Sequence, residues 1–145
     1  MIELHNLAIE QCVLASLMTV QNSLEVVSND LVKDSFFAER HKVIFQAITE
    51  LSNENKPYDI LLVEQKLNEK KWLQAAGGEE YLAQMMREAP SSFYNIESYA
   101  SELNKLKSHR DLESLGQKIV AMSQDLSKED VFTEAEGLFS SVDAT

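Results

Sequence analysis

Three histidines, one cysteine and four glycines are the residues of this 145-residue chain with the narrowest chemical uses, and their spacing decides which uses are open. His5, His41 and His109 stand far apart, and none has a second His or Cys at helical or zinc-ribbon spacing, so no metal centre is expected. Gly77, Gly78, Gly116 and Gly137 open no Gly-rich loop followed by Lys and then Ser or Thr, so no phosphate cradle and no cofactor site is expected here. Cys12 lies in an apolar helical stretch without a basic neighbour to lower its pKa, which reads as a buried structural thiol suited to a reducing cytoplasm. His41 falls on the apolar side of its helix, the place of a core histidine with a hydrogen-bond partner rather than a general base. The serines lack a nucleophile elbow, and the carboxylates sit mainly on solvated faces. The chain by itself is expected to have no catalytic residue.

Charge narrows the partners. The net charge is −11, and phosphate contacts need clustered Lys and Arg, so any role on DNA is expected to be indirect. The densest basic cluster, Lys105, Lys107 and Arg110, is diluted by Glu102, Asp111 and Glu113 and reads as a solvated face. Residues 111–145 hold 2 basic and 8 acidic residues, against 11 and 16 before them, which makes the C-terminal segment the acidic part. No basic region leads into an apolar run and no segment has the length of a membrane span, so a cytoplasmic protein with no membrane contact is expected.

Only four glycines and two prolines interrupt stretches rich in Leu, Glu, Lys, Ala and Gln, and the expected fold class is all-α. Leu7, Leu14, Leu17 and Met18 predict a first helix capped by Asn6, with Glu10 in its early turns. A short helix is expected after Asn22, where Glu25 completes a capping box. Arg40 to Leu51 places His41, Ile44, Phe45, Ile48 and Leu51 on one face. Pro57 and Asp59 open a helix through Val63 and Leu67, and Gly77-Gly78 turns into a stripe of Tyr81, Leu82, Met85 and Met86 that Pro90 stops. These five helices are expected to form a compact head over residues 1–94.

From Asn95 the pattern lengthens. Ile96, Tyr99, Leu103 and Leu106 recur at spacings of three and four, and after a phase slip come Leu112, Leu115, Ile119, Met122 and Leu126. Ser127 can cap a last helix carrying Phe132, Ala135, Leu138, Phe139 and Val142 along one side, which predicts an antiparallel helical hairpin over 95–145. A lone hairpin buries its stripes poorly, so Leu112, Leu115, Ile119, Met122, Phe132, Ala135, Leu138, Phe139 and Val142, with Tyr81 on the head, are the candidate oligomer or partner interface.

The landmarks His5-Asn6-Leu7 with Glu10-Gln11, Ser35-Phe36-Phe37 with His41, Ile44 and Phe45, and Pro57-Tyr58-Asp59 come in that order. Gly77-Gly78 with Tyr81-Leu82, Pro90-Ser91 with Asn95-Ile96 and Tyr99-Ala100, and Arg110 complete a succession that resembles the N-terminal domain of DnaB-type replicative helicases over roughly residues 4 to 120. Leu4 where that family often has proline, Ala15-Ser16 where it has a Gly-containing pair, and Phe37 for a frequent tyrosine depart from its pattern. The resemblance implies a domain that pairs through its hairpin, builds a trimer-of-dimers collar in a hexameric helicase and docks primase or a helicase loader. It also implies a RecA-like motor domain that binds ATP and Mg and meets DNA, of which these residues hold nothing. The chain is then either a piece of such a helicase or a stand-alone phage or plasmid regulator that binds a host helicase.

Overall fold

The computed structural model describes residues 2–90 and 95–142, and all of its regular structure there is helical. Seven α-helices run in order: α1 Leu7–Thr19, α2 Leu24–Val27, α3 Glu39–Asn53, α4 Ile60–Glu69, α5 Gly78–Glu88, α6 Ile96–Ser123 and α7 Val131–Val142, with a 3-10 turn at Lys33–Ser35. Ser91 lies outside the described residues.

Caps explain most of the boundaries. The Asn6 side chain accepts from the Ile9 amide (3.1 Å) and Asp59 from Leu62 (3.0 Å), so α1 and α4 begin where their cap residues predict. The short α2 differs: Ser23 holds the N-cap position, and Asn22, expected there, sits at φ 62° in the preceding turn, a conformation asparagine tolerates. The last helix differs likewise, because Asp130 accepts from the Thr133 amide while Ser127 donates its N–H and O–H to Asp125 within the connection. An aspartate one residue before the helix outcompetes a serine that the turn has already engaged.

Two helices end in the same way. After α4, Lys71 takes φ 62°, its amide donates to the Asn68 carbonyl (3.1 Å), and the Trp72 amide reaches back to Leu67 (2.8 Å). After α3, Asn55 at φ 58° donates to Ser52 (3.0 Å), and Lys56 to Leu51 (2.9 Å). Both pairs of bonds satisfy carbonyls that a helix end otherwise strands. Lys66 then ties α4 to the end of α3, its Nζ lying 2.6 and 3.1 Å from the two carboxylate oxygens of Glu54. That bond holds the Glu54 carboxyl below its usual range and the Lys66 ammonium above its own.

The chain divides into two compact units, Met1–Lys107 and Ser108–Thr145. In the first, α1 is buried on nearly every side from Cys12 to Met18 and packs against α3, α4 and α5. The rings of Phe36 and Phe45 meet at 5.0 Å, tilted by 37°, where the chain turns into α3. Burial pushes the Cys12 thiol up, in keeping with a packing role. The head extends past residue 94, because Ile96, Ala100 and Leu103, spaced four and three apart on the first turns of α6, belong to its core. A stripe assigned by periodicity to the hairpin is thus shared: its first part closes the head. The second unit contains the rest of α6, the connection 124–130 and α7, the helical hairpin.

Deleting residues 111–145 is expected to leave a head with a cooperative thermal transition, measured by circular dichroism; loss of all helical signal would show that the two units share one core. Lys71→Gly is expected to raise the stability of the intact chain by about 0.5–1 kcal/mol in urea unfolding, because glycine occupies the left-handed region without the Cβ penalty. A loss of stability would mean that the lysine side chain contributes more than its backbone strain removes.

Candidate functional site

Two places carry unusual side chains, a polar chain inside the head and an apolar face on the hairpin. Within the head, Glu10 and His41 are buried and Tyr81 is half-buried. The Glu10 carboxylate accepts from the Phe37 amide (2.7 Å) and the Ala38 amide (3.3 Å), the two N–H groups that lead into α3. Ala38, the N-cap of α3, has no side chain able to cap, so α1 supplies that function from across the core. His41 Nδ1 lies 2.7 Å from Glu10 Oε1, and its Nε2 lies 2.5 Å from Tyr81 Oη, into which Gln11 Nε2 donates at 2.9 Å.

Donor and acceptor counting orders the protons. A carboxylate only accepts, so Nδ1 carries the hydrogen toward Glu10; Gln11 donates to the phenol oxygen, which leaves the phenolic hydrogen for Nε2. The sequence Gln11 to Tyr81 to His41 to Glu10 is therefore a directed chain that joins α5, α3 and α1. The Arg40 guanidinium lies over the Tyr81 ring at 4.8 Å and covers its outer face. Gly77 permits this packing: it takes φ 102°, and a Cβ there would meet Tyr81 Cδ2 at 2.8 Å.

A carboxylate, an imidazole and a hydroxyl in line invite comparison with a nucleophilic triad. Here the carboxylate and the imidazole are both buried. Neither the groove of about 500 Å³ between the ends of α1 and α3 nor that of about 550 Å³ between α2 and α3 is lined by any of the three residues. The arrangement positions helices. It also accounts for Tyr81, named above as an interface candidate: its hydroxyl is engaged within its own head.

The hairpin residues fall into two sets. On α6, Leu115 is buried in the single chain and Met122 is half-buried, whereas Leu112 and Ile119 are exposed. On α7, Ala135 and Leu138, with Val131, are half-buried at spacings of four and three, while Phe132 is 82% exposed, Phe139 57% and Val142 39%. At roughly 100° per residue, Phe132 and Phe139 share one direction about a quarter-turn from the half-buried stripe. Leu115 is therefore already covered, and the apolar groups offered to another molecule are Leu112, Ile119, Phe132, Phe139 and Val142. The signal that separates the sets is phase within the stripe, which the spacing list alone had merged.

Among the described residues there is no group of three or more His, Cys, Asp or Glu side chains able to hold a metal, and no helix is long and apolar enough to cross a membrane.

An all-helical head closed by the start of a long helix, followed by a hairpin with exposed apolar residues, defines a class of all-α module. The family profile of DnaB-like helicase N terminal domains matches residues 2–105, and the chain belongs to that family. It is 31% identical over 135 residues to the replicative DNA helicase DnaB of Pasteurella multocida, covering 91% of this chain and 29% of that protein. To the replicative DNA helicase DnaB of Buchnera aphidicola subsp. Schizaphis graminum it is 34% identical over 88 residues, 61% of this chain and 19% of that protein. The crystal structure of the N-terminal domain of DnaB helicase from Mycobacterium tuberculosis superposes with a TM-score of 0.87 at 25% identity, covering 95% of this chain and 97% of that one. The chain thus spans under a third of the length of these two helicases. The family profile ends within the head unit, while the structural match takes in the hairpin as well.

Replacing Glu10 by Gln and Tyr81 by Phe, singly and together, tests the chain of hydrogen bonds. Each single change is expected to cost about 1–3 kcal/mol in urea unfolding, and the double change less than the sum by at least about 0.5 kcal/mol, because the two groups act through His41 without touching. Strict additivity would show two independent bonds.

Proposed function

We propose that this chain is the N-terminal assembly domain of a replicative DNA helicase, that it pairs with a second copy through the hairpin, and that it provides a docking surface for primase or a helicase loader. Family membership supports the first part. The observation that carries the second is the exposed apolar face: Phe132 and Phe139 stand two turns apart on α7, and Leu112 and Ile119 are the same distance apart on α6. A free domain rarely leaves so many large apolar groups in water without a partner. Isologous pairing about a two-fold axis would cover both sets at once. In a full-length helicase the pairs would assemble as a trimer of dimers, with ATP, Mg and DNA handled by the motor domain that the relatives' length leaves room for. For primase or a loader, the acidic balance of the last 35 residues would favour a basic partner and quicken its encounter at low salt.

The wild-type chain is expected to sediment as a dimer and the Phe139→Glu variant as a folded monomer, because the new charge would lie unpaired in the seam of the pair yet stay in water on the single chain. Leu138→Glu is a poorer probe, since Leu138 is half-buried within one copy. A wild-type chain that stays monomeric at high concentration, or a Phe139→Glu variant that dimerises equally well, would remove the hairpin from the interface. Pull-down of primase and loader from the same source by the wild-type domain addresses docking, with binding by neither arguing against that part.

A further inference from the structure

The segment between α2 and α3 has only short regular structure of its own, and one side chain of α6 bonds to it at two points. Asn104 follows Leu103, the last core residue that α6 contributes to the head. Its Oδ1 accepts from Ser35 Oγ at 2.8 Å, and its Nδ2 donates to the Asp30 carbonyl. Ser35 is buried, and its Oγ also accepts the Val32 amide at 3.0 Å. The residue types are specified by this geometry. With its oxygen accepting from Val32, the Ser35 hydroxyl needs an acceptor for its hydrogen, while the Asp30 carbonyl needs a donor; a carboxamide supplies both and a carboxylate only one.

We infer that Asp30–Ser35 is a strap latched by Asn104, able to open as a local unit while the rest of the head stays folded. Leu31 within it and Phe36 just after it plug into the core, and the exposed Asp34 lies 3.8 Å from the Lys42 ammonium of α3. Between them Val32 is half out in water and, with Leu31 and Lys33, walls the groove of about 550 Å³ whose far side is Phe45, Gln46 and Thr49 of α3. Opening the strap removes that wall and uncovers Phe45. The latch sits on α6, so the state of this groove is linked to the seating of α6 in the head. Local opening of this kind exposes Leu31 and breaks the Asn104 bonds but leaves the packing of α1 on α3 and α4 in place, so it costs less than global unfolding.

Native-state hydrogen exchange of the whole chain tests it. In Asn104→Leu the amides of residues 32–36 are expected to lose protection by about tenfold or more, while those in the middle of α1 and α3 change by less than about twofold. Asn104→Asp gives the second readout. Its ionised side chain can accept from Ser35 but cannot donate to Asp30, whereas the protonated acid does both. The protection deficit of N104D against wild type should therefore close as pH falls through the usual Asp range near about 4, and that of Asn104→Leu should not. Uniform loss of protection across the head, an unchanged strap in Asn104→Leu, or a deficit in N104D that does not respond to pH would each overturn the latch.

Discussion

A carboxylate with no access to water organises the head. Removing Glu10 from solvent costs several kcal/mol unless its oxygens are fully engaged. They are engaged by two backbone amides and an imidazole, which come from the approach to α3 and from α3 itself. The two helices are therefore fixed in one register: sliding α3 by a turn would strand a buried charge, whereas an all-apolar contact could repack at modest cost. The same constraint passes to α5 through Tyr81. That helix buries only Leu82 and Met85 fully, so the hydroxyl contact does for its orientation what its small apolar face leaves loose.

The two units stand on different footings. The head has a closed core, from Val13 to Leu103, and keeps its charged groups paired or in water. In the second unit Leu115 is the one buried apolar residue among those described, while seven of the thirteen exposed large apolar side chains lie there. A quarter of the chain thus carries more than half of the exposed large apolar side chains among the described residues, and burying them is a gain in free energy still open to the molecule.

Much of this was legible in residue order. Asn6 and Asp59 announced their helices because a side-chain cap is a local interaction, completed within three residues. The His41 position on an apolar face correctly implied a bonded core histidine. Glu10 does stand in the first turn of α1, but Val13, Leu14 and Leu17 at three, four and seven residues on also put it on the buried face; the partner that makes such burial tolerable is 31 residues away, and no local rule reveals it. The head boundary failed at α6 because a periodic stripe records that one side is covered and not by what, so Ile96 and Leu115 look alike in sequence though they serve different units.

Charge sets how the hairpin face can be covered. Residues 111–145 carry 8 acidic and 2 basic groups, and one of the two, Lys128, is bonded to Glu134 at 3.1 Å within its own copy. Two such hairpins repel, so the proposed pairing with a second copy would have to be carried by the apolar contact of Phe132, Phe139, Leu112 and Ile119 against an opposing field. Salt screens that field over about 8–10 Å and so favours pairing. A basic partner drawn to the same segment behaves oppositely, since screening removes the attraction that brings it in. In the proposed pairing the two kinds of contact would divide the surface by physics: aromatic and aliphatic groups would serve self-association, and the acidic groups would stay in water within another protein's reach.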